Sequence, residues 1–189
     1  MKVLALNGSP RKEGNTARIL RKSVEEHEDV DLRYHDLVDL KIRDCISCRH
    51  CKTHDSCSIR DDMTIIYQDM RWADAIVLAS PIYMSAETAL LKAVVDRTYA
   101  LVASAEGGPG KYRPRLAPGK RGVALFTCGN PKGDETLVCV RDRYYQHFAF
   151  LGVAQAKSII VPGLSPGMDA METVKAQAAV EEIKAFLRG

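Results

Sequence analysis

Val3-Leu4-Ala5-Leu6-Asn7-Gly8-Ser9-Pro10-Arg11-Lys12-Glu13-Gly14-Asn15-Thr16 runs from an apolar segment through a glycine-bearing loop into a helix start. Val3 to Leu6 is unbroken by polar residues, the pattern of a strand buried on both faces of a parallel sheet. Thr16 opens a stretch in which Ile19, Leu20 and Val24 recur at three and four residues, which is helical spacing. A loop that joins such a strand to such a helix lies at the carboxyl rim of an open α/β sheet, where ligands bind.

The same alternation continues along the chain. Val30, Leu32 and Tyr34 alternate with polar residues, as in a strand nearer the sheet edge. Residues 41–60 show neither period. Asp61 or Asp62 is expected to cap a helix running through Ile65, Ile66 and Met70 to Trp72. Residues 75–79 read as a buried strand that stops at Ser80-Pro81, because proline lacks the N–H for a further ladder bond. Ser85 is expected to cap a helix carrying Leu90, Leu91, Val94, Val95 and Leu101. Residues 104–120 hold four glycines and three prolines and read as a loop. Residues 123–127 form a fourth strand. Residues 134–151 form a helix with Leu137, Val140, Tyr144, Phe148 and Leu151 on one face and Gly152 as its stop. Residues 158–161 form a fifth strand, and a last helix ends at Leu187.

Five strands alternating with helices imply right-handed crossovers and a parallel sheet covered on both faces. The expected fold is α/β: a flavodoxin-like doubly wound sheet of order 2-1-3-4-5, with the switch point between strands 1 and 3. The order rests on length and fold analogy. The 189 residues suit one domain spanning 1–189, with a cysteine-rich loop at 41–60 after strand 2. No apolar run reaches the roughly 20 residues of a membrane span, and the amino terminus does not read as a secretory signal. A net charge of +3 gives no nucleic-acid footprint. A cytoplasmic protein with no membrane or nucleic-acid partner is expected.

The loop from Gly8 to Thr16 offers a phosphate cradle. A helix amino terminus presents unpaired N–H groups and partial positive charge. Ser9, Asn15 and Thr16 add short donors, Arg11 adds a charged one, and Gly8 and Gly14 let the backbone come close. No Gly-Lys-Ser/Thr closes the loop, and no Gly-x-Gly-x-x-Gly occurs in it, so it is neither a P-loop nor a dinucleotide fingerprint.

This loop resembles the FMN-phosphate loop of the NADPH-dependent FMN reductase-like family. Ser80-Pro81-Ile82-Tyr83-Met84, followed by Leu91-Lys92 and Asp96-Arg97, is similar to that family's turn after strand 3. Thr127-Cys128-Gly129-Asn130 occupies the place of its loop after strand 4. The resemblance spans essentially the whole chain. It implies that Ser9, Arg11, Gly14, Asn15 and Thr16 hold the FMN phosphate. Pro81, Ile82, Tyr83 and Met84 would line the flavin ring. Thr127, Cys128, Gly129 and Asn130 would face its pyrimidine side, where backbone N–H donors favour the anionic reduced flavin.

Four of the six cysteines lie close together as Cys45-x2-Cys48-x2-Cys51-x5-Cys57. Successive two-residue spacings let a folded-back loop aim thiolates inward, which is the spacing logic of iron–sulfur ligation. Four-cysteine zinc sites usually pair two Cys-x-x-Cys knuckles across a longer stretch, but zinc stays open, with His50 and His54 as further ligands. The motif resembles that of the iron–sulfur flavoproteins, a branch of the same family, and Asp61-Asp62-Met63 follows it as it does there. By that resemblance Cys45, Cys48, Cys51 and Cys57 hold a [4Fe-4S] cluster. Cys139 reads as a small buried residue, and Cys128 has no catalytic role assigned.

The implied function is an FMN-dependent oxidoreductase or electron-transfer flavoprotein that passes electrons between a [4Fe-4S] cluster and FMN. A ferredoxin-like donor or NAD(P)H would supply them, and a small-molecule acceptor would take them. The alternative is an NAD(P)H-dependent FMN or quinone reductase without a cluster. An electron carrier of flavodoxin type is disfavoured by the positive charge, and a structural zinc module is separable by metal analysis. Strand 2 lies toward one edge in the expected order, and the resemblance implies a homodimer or homotetramer in which a neighbour's cluster loop approaches the flavin. No residue stands out as a general acid or base. The basic run Lys111 to Arg115, with Lys120-Arg121, is read as solvated surface.

Overall fold

The computed structural model describes residues 1–25, 30–106 and 110–189. Strands β1 (Lys2–Asn7), β2 (Asp31–Asp36), β3 (Ala75–Tyr83), β7 (Arg121–Thr127) and β8 (Gln155–Val161) form one parallel sheet in the order β2-β1-β3-β7-β8. This is the expected 2-1-3-4-5 order. Helices α1 (Asn15–Val24) and α7 (Val174–Arg188) cover one face. Helices α3 (Met63–Trp72), α4 (Ala89–Arg97) and α6 (Val138–Phe150) cover the other.

The period-2 rule explains the two cores. Val3 and Ala5 of β1 face Ile19 and Leu20 of α1 and Ile183 and Leu187 of α7. Leu4 and Leu6 face Ile66 and Met70 of α3 and Leu91 and Val94 of α4. Central strands are buried on both sides, so their sequences carry no alternation, whereas edge strand β2 does.

Several local expectations change. β3 does not stop at Ser80-Pro81; it runs to Tyr83, with Pro81 in register with Thr127. β1 pairs β3 only as far as Ala79, and a strand with a free edge tolerates a residue that has no N–H. Ile82 and Tyr83 then pair with β4 (Ala86–Glu87) in a tight hairpin. Met84 and Ser85 form its turn, with φ of 47° and 63°. Ser85 therefore does not cap a helix. Thr88 caps α4, its side chain accepting from the Leu91 N–H.

The segment after α4 is not all loop. β5 (Val102–Ser104) pairs antiparallel with β6 (Tyr112–Pro114), and residues 107–109 between them lie outside the described residues. The helix expected over 134–151 is split into α5 (Gly133–Thr136) and α6 at Leu137, and Gly152 ends it at φ 80°. Among the described residues no helix is long and apolar enough to cross a membrane.

Candidate functional site: a carboxyl-rim cleft and a clamped cysteine loop

Three segments predicted from sequence meet at the carboxyl ends of β1, β3 and β7. Ser9, Arg11, Gly14, Asn15 and Thr16 form one wall of an open cleft of about 170 Å³. Pro81, Ile82 and Tyr83 form a second, and Thr127, Cys128 and Gly129 a third. Leu164 and Pro166, from the loop after β8, complete it. The sequence reading missed these two; their signal was a turn after the fifth strand, which must end at the same rim. Met84 and Asn130 lie outside the lining. Met84 is 99% exposed at the hairpin turn. Asn130 donates to Thr136 Oγ1 and accepts from the Lys132 N–H, so its side chain organises its own loop.

The phosphate-loop wall is rigid for identifiable reasons. Asn7 at the end of β1 accepts from the Ser9 N–H through Oδ1 at 3.0 Å and donates to Asp36 at 2.7 Å. Ser9 Oγ is bonded to both the N–H and the carbonyl of Arg11, and the Gly14 N–H returns to the Arg11 carbonyl. A side chain at Gly14 would press on Arg11, its Cβ lying 3.1 Å from that of Arg11. The Thr16 and Thr127 hydroxyls meet at 2.6 Å and tie this wall to the third.

Gly8 works differently from expectation. It faces α4: a Cβ there would lie 2.8 Å from Leu91 Cβ and 2.9 Å from the Ala79 carbonyl. Its carbonyl accepts from Thr88 Oγ1 at 2.7 Å. Asn15 reaches the 165–170 loop, donating to the Ser165 carbonyl and accepting from the Ala170 N–H.

The cleft's electrostatics favour an anion. Helix α1 has Gly14 at its amino-terminal cap position and so no side-chain cap, which leaves its first N–H groups and dipole uncompensated by a side chain. Arg11 is exposed beside them, and the lining contains no Asp or Glu. Cys128 is buried, with Sγ against the Asn130 carbonyl at 3.5 Å, and burial pushes its thiol up. It packs against Gly133, where a Cβ would collide with the sulfur.

A second cluster lies at the other end of α4. Cys45, Cys48, Cys51 and Cys57 all border one small apolar cavity together with Arg97 and Tyr99, and no carboxylate lines it. All four thiols are free; Cys51 is buried, Cys57 half-buried, and Cys45 and Cys48 exposed. Ser47 and Arg49, two of the four residues between the first three cysteines, adopt left-handed φ of 54° and 59°. Such residues turn backbone N–H groups into a concavity, the nest geometry of anionic and iron–sulfur sites. Among the described residues no three His, Cys, Asp or Glu side chains stand around a point that would suit a single metal ion.

The cysteine loop is clamped at its base. Asp61 Oδ2 accepts from the Arg43 N–H at 2.9 Å, and Asp62 Oδ2 from the Lys41 N–H at 2.7 Å. Asp62 makes no side-chain cap on α3; instead Asp61 Oδ1 accepts from the Met63 N–H. Arg97, only 1% exposed, closes the base by donating to both oxygens of Asp61 and to the Arg43 carbonyl. Burial raises the Asp61 pKa, but Arg97 and the backbone donors more than offset this, leaving it below the usual carboxylate range.

The loop's tip is held by two more cations. Arg115 donates to the carbonyls of Cys51 and His54. Lys52, on the short helix α2 (His50–Thr53), donates to the carbonyls of Tyr99 and Val102. Burial pushes the Cys51 thiol up, while the Lys52 charge pulls it the other way. Cys48 is lowered, chiefly by the hydroxyl of Ser58 at 3.2 Å.

Arg115 thus corrects the reading of the basic run as solvated surface. So does Lys120, which is buried and caps the carbonyls of Arg71 and Ala73 at the end of α3. Arg121 donates to the Leu187 carbonyl. Cys139, expected to be buried, is exposed.

Comparison with known proteins identifies the fold and the family. The chain is 32% identical over 152 residues to an iron–sulfur flavoprotein of Methanosarcina thermophila, covering 78% of this chain and 74% of that one. It is 38% identical over 100 residues to an iron–sulfur flavoprotein of Methanocaldococcus jannaschii, covering 52% of each, so the match spans about half that relative's length. The fold matches NAD(P)H:quinone oxidoreductase from Methanothermobacter marburgensis with a TM-score of 0.75 at 19% identity, over 100% of this chain and 98% of that one. The sequence profile of NADPH-dependent FMN reductase matches residues 1–158, and the chain belongs to that family, in its iron–sulfur flavoprotein branch.

Proposed function

We propose that this protein is an FMN-dependent oxidoreductase that couples flavin in the carboxyl-rim cleft to a [4Fe-4S] cluster on Cys45, Cys48, Cys51 and Cys57. The observation that carries the flavin reading is the cleft itself: three strand-end segments, an uncapped helix terminus, one exposed arginine and no carboxylate. Arg11, the α1 N–H groups and the Ser9–Thr16 loop would bind the phosphate. Pro81, Ile82 and Tyr83 would flank the ring, and the backbone of Thr127, Cys128 and Gly129 would meet its pyrimidine edge. The donor set in the cysteine loop fits the cluster in kind: four thiols around one apolar space, on a backbone with left-handed turns at Ser47 and Arg49. Flavin exchanges one or two electrons and a cluster passes them singly, so together they link one-electron donors to two-electron acceptors.

A ferredoxin-like protein or NAD(P)H is the proposed donor and a small molecule such as a quinone the acceptor, in the cytoplasm. The two sites lie at opposite ends of α4. Its nine residues span roughly 13 Å, which favours a homodimer or homotetramer that brings a neighbour's cysteine loop to the flavin. A monomer with full cluster-to-flavin transfer contradicts that assembly.

Anaerobic purification with iron, sulfide, zinc and FMN quantified per chain tests the reading. About four iron and four sulfide with one FMN supports it. Stoichiometric FMN with iron near zero selects a cluster-free NAD(P)H-dependent FMN or quinone reductase. The half-exposed Tyr83 ring leaves room on the open cleft for a nicotinamide in that case.

A further inference from the structure

Four cations approach the cysteine loop: two of them are neutralised, and Arg49, which lines the cavity, stands exposed to solvent. Arg97 is matched by Asp61 at 2.8 Å and Arg115 by Asp55 at 3.2 Å. Lys52 has no carboxylate partner among the described residues. Its ammonium is half-buried and fixed by the carbonyls of Tyr99 and Val102 at 2.7 and 2.6 Å. It sits 3.4 Å from the centroid of the Tyr99 ring and 5.3 Å from that of Tyr112. Tyr99 is also a wall of the cavity bordered by the four cysteines.

Carbonyl oxygens and ring faces are attractive to a cation but do not cancel its charge. Lys52 is immobilised next in sequence to Cys51, against the Tyr99 ring that forms a wall of the cysteine cavity, and no acidic residue lines that cavity. The one group of opposite charge that the site is built to hold is a set of thiolates with their cluster. The argument therefore rests on the function proposed above.

We propose that Lys52 is the fixed counter-charge of the cluster, stabilising its reduced state and raising the potential at which it takes an electron. One-electron reduction makes a cluster one unit more negative, and no proton need follow. A cation held nearby interacts more strongly with that reduced form than with the oxidised one, and net charge and hydrogen bonding are the levers by which a protein sets such potentials. The fixed geometry matters, because a mobile ammonium would swing into solvent and lose the effect.

The test is a spectroelectrochemical titration of the anaerobically isolated holoprotein, after iron and sulfide have been counted. Lys52→Met keeps the length of the side chain and removes the charge; Lys52→Arg keeps the charge. The expected result is a reduction equilibrium at least tenfold less favourable in Lys52→Met, a midpoint about 59 mV more negative for a one-electron couple. Lys52→Arg should stay near the wild type. An unchanged midpoint in iron-replete Lys52→Met overturns the proposal. If Lys52→Met loses iron and Lys52→Arg retains it, the charge requirement stands. If both lose iron, the role is steric and the proposal fails. Wild-type protein free of iron overturns the cluster reading itself, an outcome visible before any variant is titrated.

Discussion

Arg97 grips Asp61 through two nitrogens, at 2.8 and 3.0 Å, with both side chains almost wholly buried. The pair joins the carboxyl end of α4 to the residue that closes the cysteine loop. Removing one partner strands the other as an unpaired buried charge, which costs about 3–5 kcal/mol. Arg97→Met and Asp61→Asn should each lower stability by that order in chemical denaturation. The double variant should cost less than the sum, because neither charge is then left alone. Additive losses would show that the two do not act as a pair.

The pH dependence of stability should have two separate windows. Burial holds the His147 imidazole down at about 4, against about 6.5 when unfolded. The unfolded chain therefore binds more protons across that interval. The resulting stability is complete above pH 6.5 and is lost as pH falls toward 4, by no more than about 3 kcal/mol. Asp61 has the opposite ionisation but the same direction: its folded pKa is depressed, so its contribution is present above about 4 and lost below. His147→Leu should flatten the upper window only, and Asp61→Asn the lower only, in denaturation midpoints measured from pH 8 to 3.

Arg11 should matter to flavin and not to folding. It is exposed, and the turn around it is held by its backbone rather than its guanidinium. A charge-assisted hydrogen bond to phosphate contributes about 1.5–3 kcal/mol, so Arg11→Ala should weaken FMN binding by roughly ten- to a hundredfold. Fluorescence titration of the apoprotein reads this directly, and riboflavin, which lacks the phosphate, should bind both forms alike. An equal loss for riboflavin would place Arg11 on the ring instead.

The strands and the cleft were legible because both follow from the apolar runs and from where strands end, whereas the sheet order came from length and fold analogy. Ser9, Tyr83 and Thr127 were each reachable that way, since a residue at or just past the carboxyl end of a buried strand must lie at the rim. The errors have a common physical source. Ser85 and Thr88 are equally good caps by composition, and only the β3–β4 pairing puts the left-handed turn at Ser85 and the helix start at Thr88. Arg115 and Lys120 looked like surface because charge alone does not reveal which carbonyls lack partners. Their targets, at Cys51 and Ala73, are distant in sequence. Asp61 and Arg97 were both noted within motifs, but only the fold shows that they meet.

Thr88 connects the helix cap to the phosphate loop. Its hydroxyl donates to the Gly8 carbonyl at 2.7 Å and accepts from the Leu91 N–H, while its own N–H reaches Ser80 Oγ at 3.0 Å. Thr88→Val keeps the shape and removes the hydroxyl. The Gly8 carbonyl loses this donor, and the first turn of α4 loses its cap. A lost cap alone costs about 1 kcal/mol and an unsatisfied buried carbonyl a further 1–3 kcal/mol. Stability should therefore fall by about 2–4 kcal/mol, and FMN affinity should fall several-fold as the loop at Gly8 loosens. Thr88→Ser should restore both, whereas Ser85→Gly should not destabilise, because glycine suits the left-handed turn. Denaturation and FMN titration of the three variants separate the cap from the turn. A Thr88→Val protein as stable as the wild type would mean that the hydroxyl holds neither the helix nor the loop.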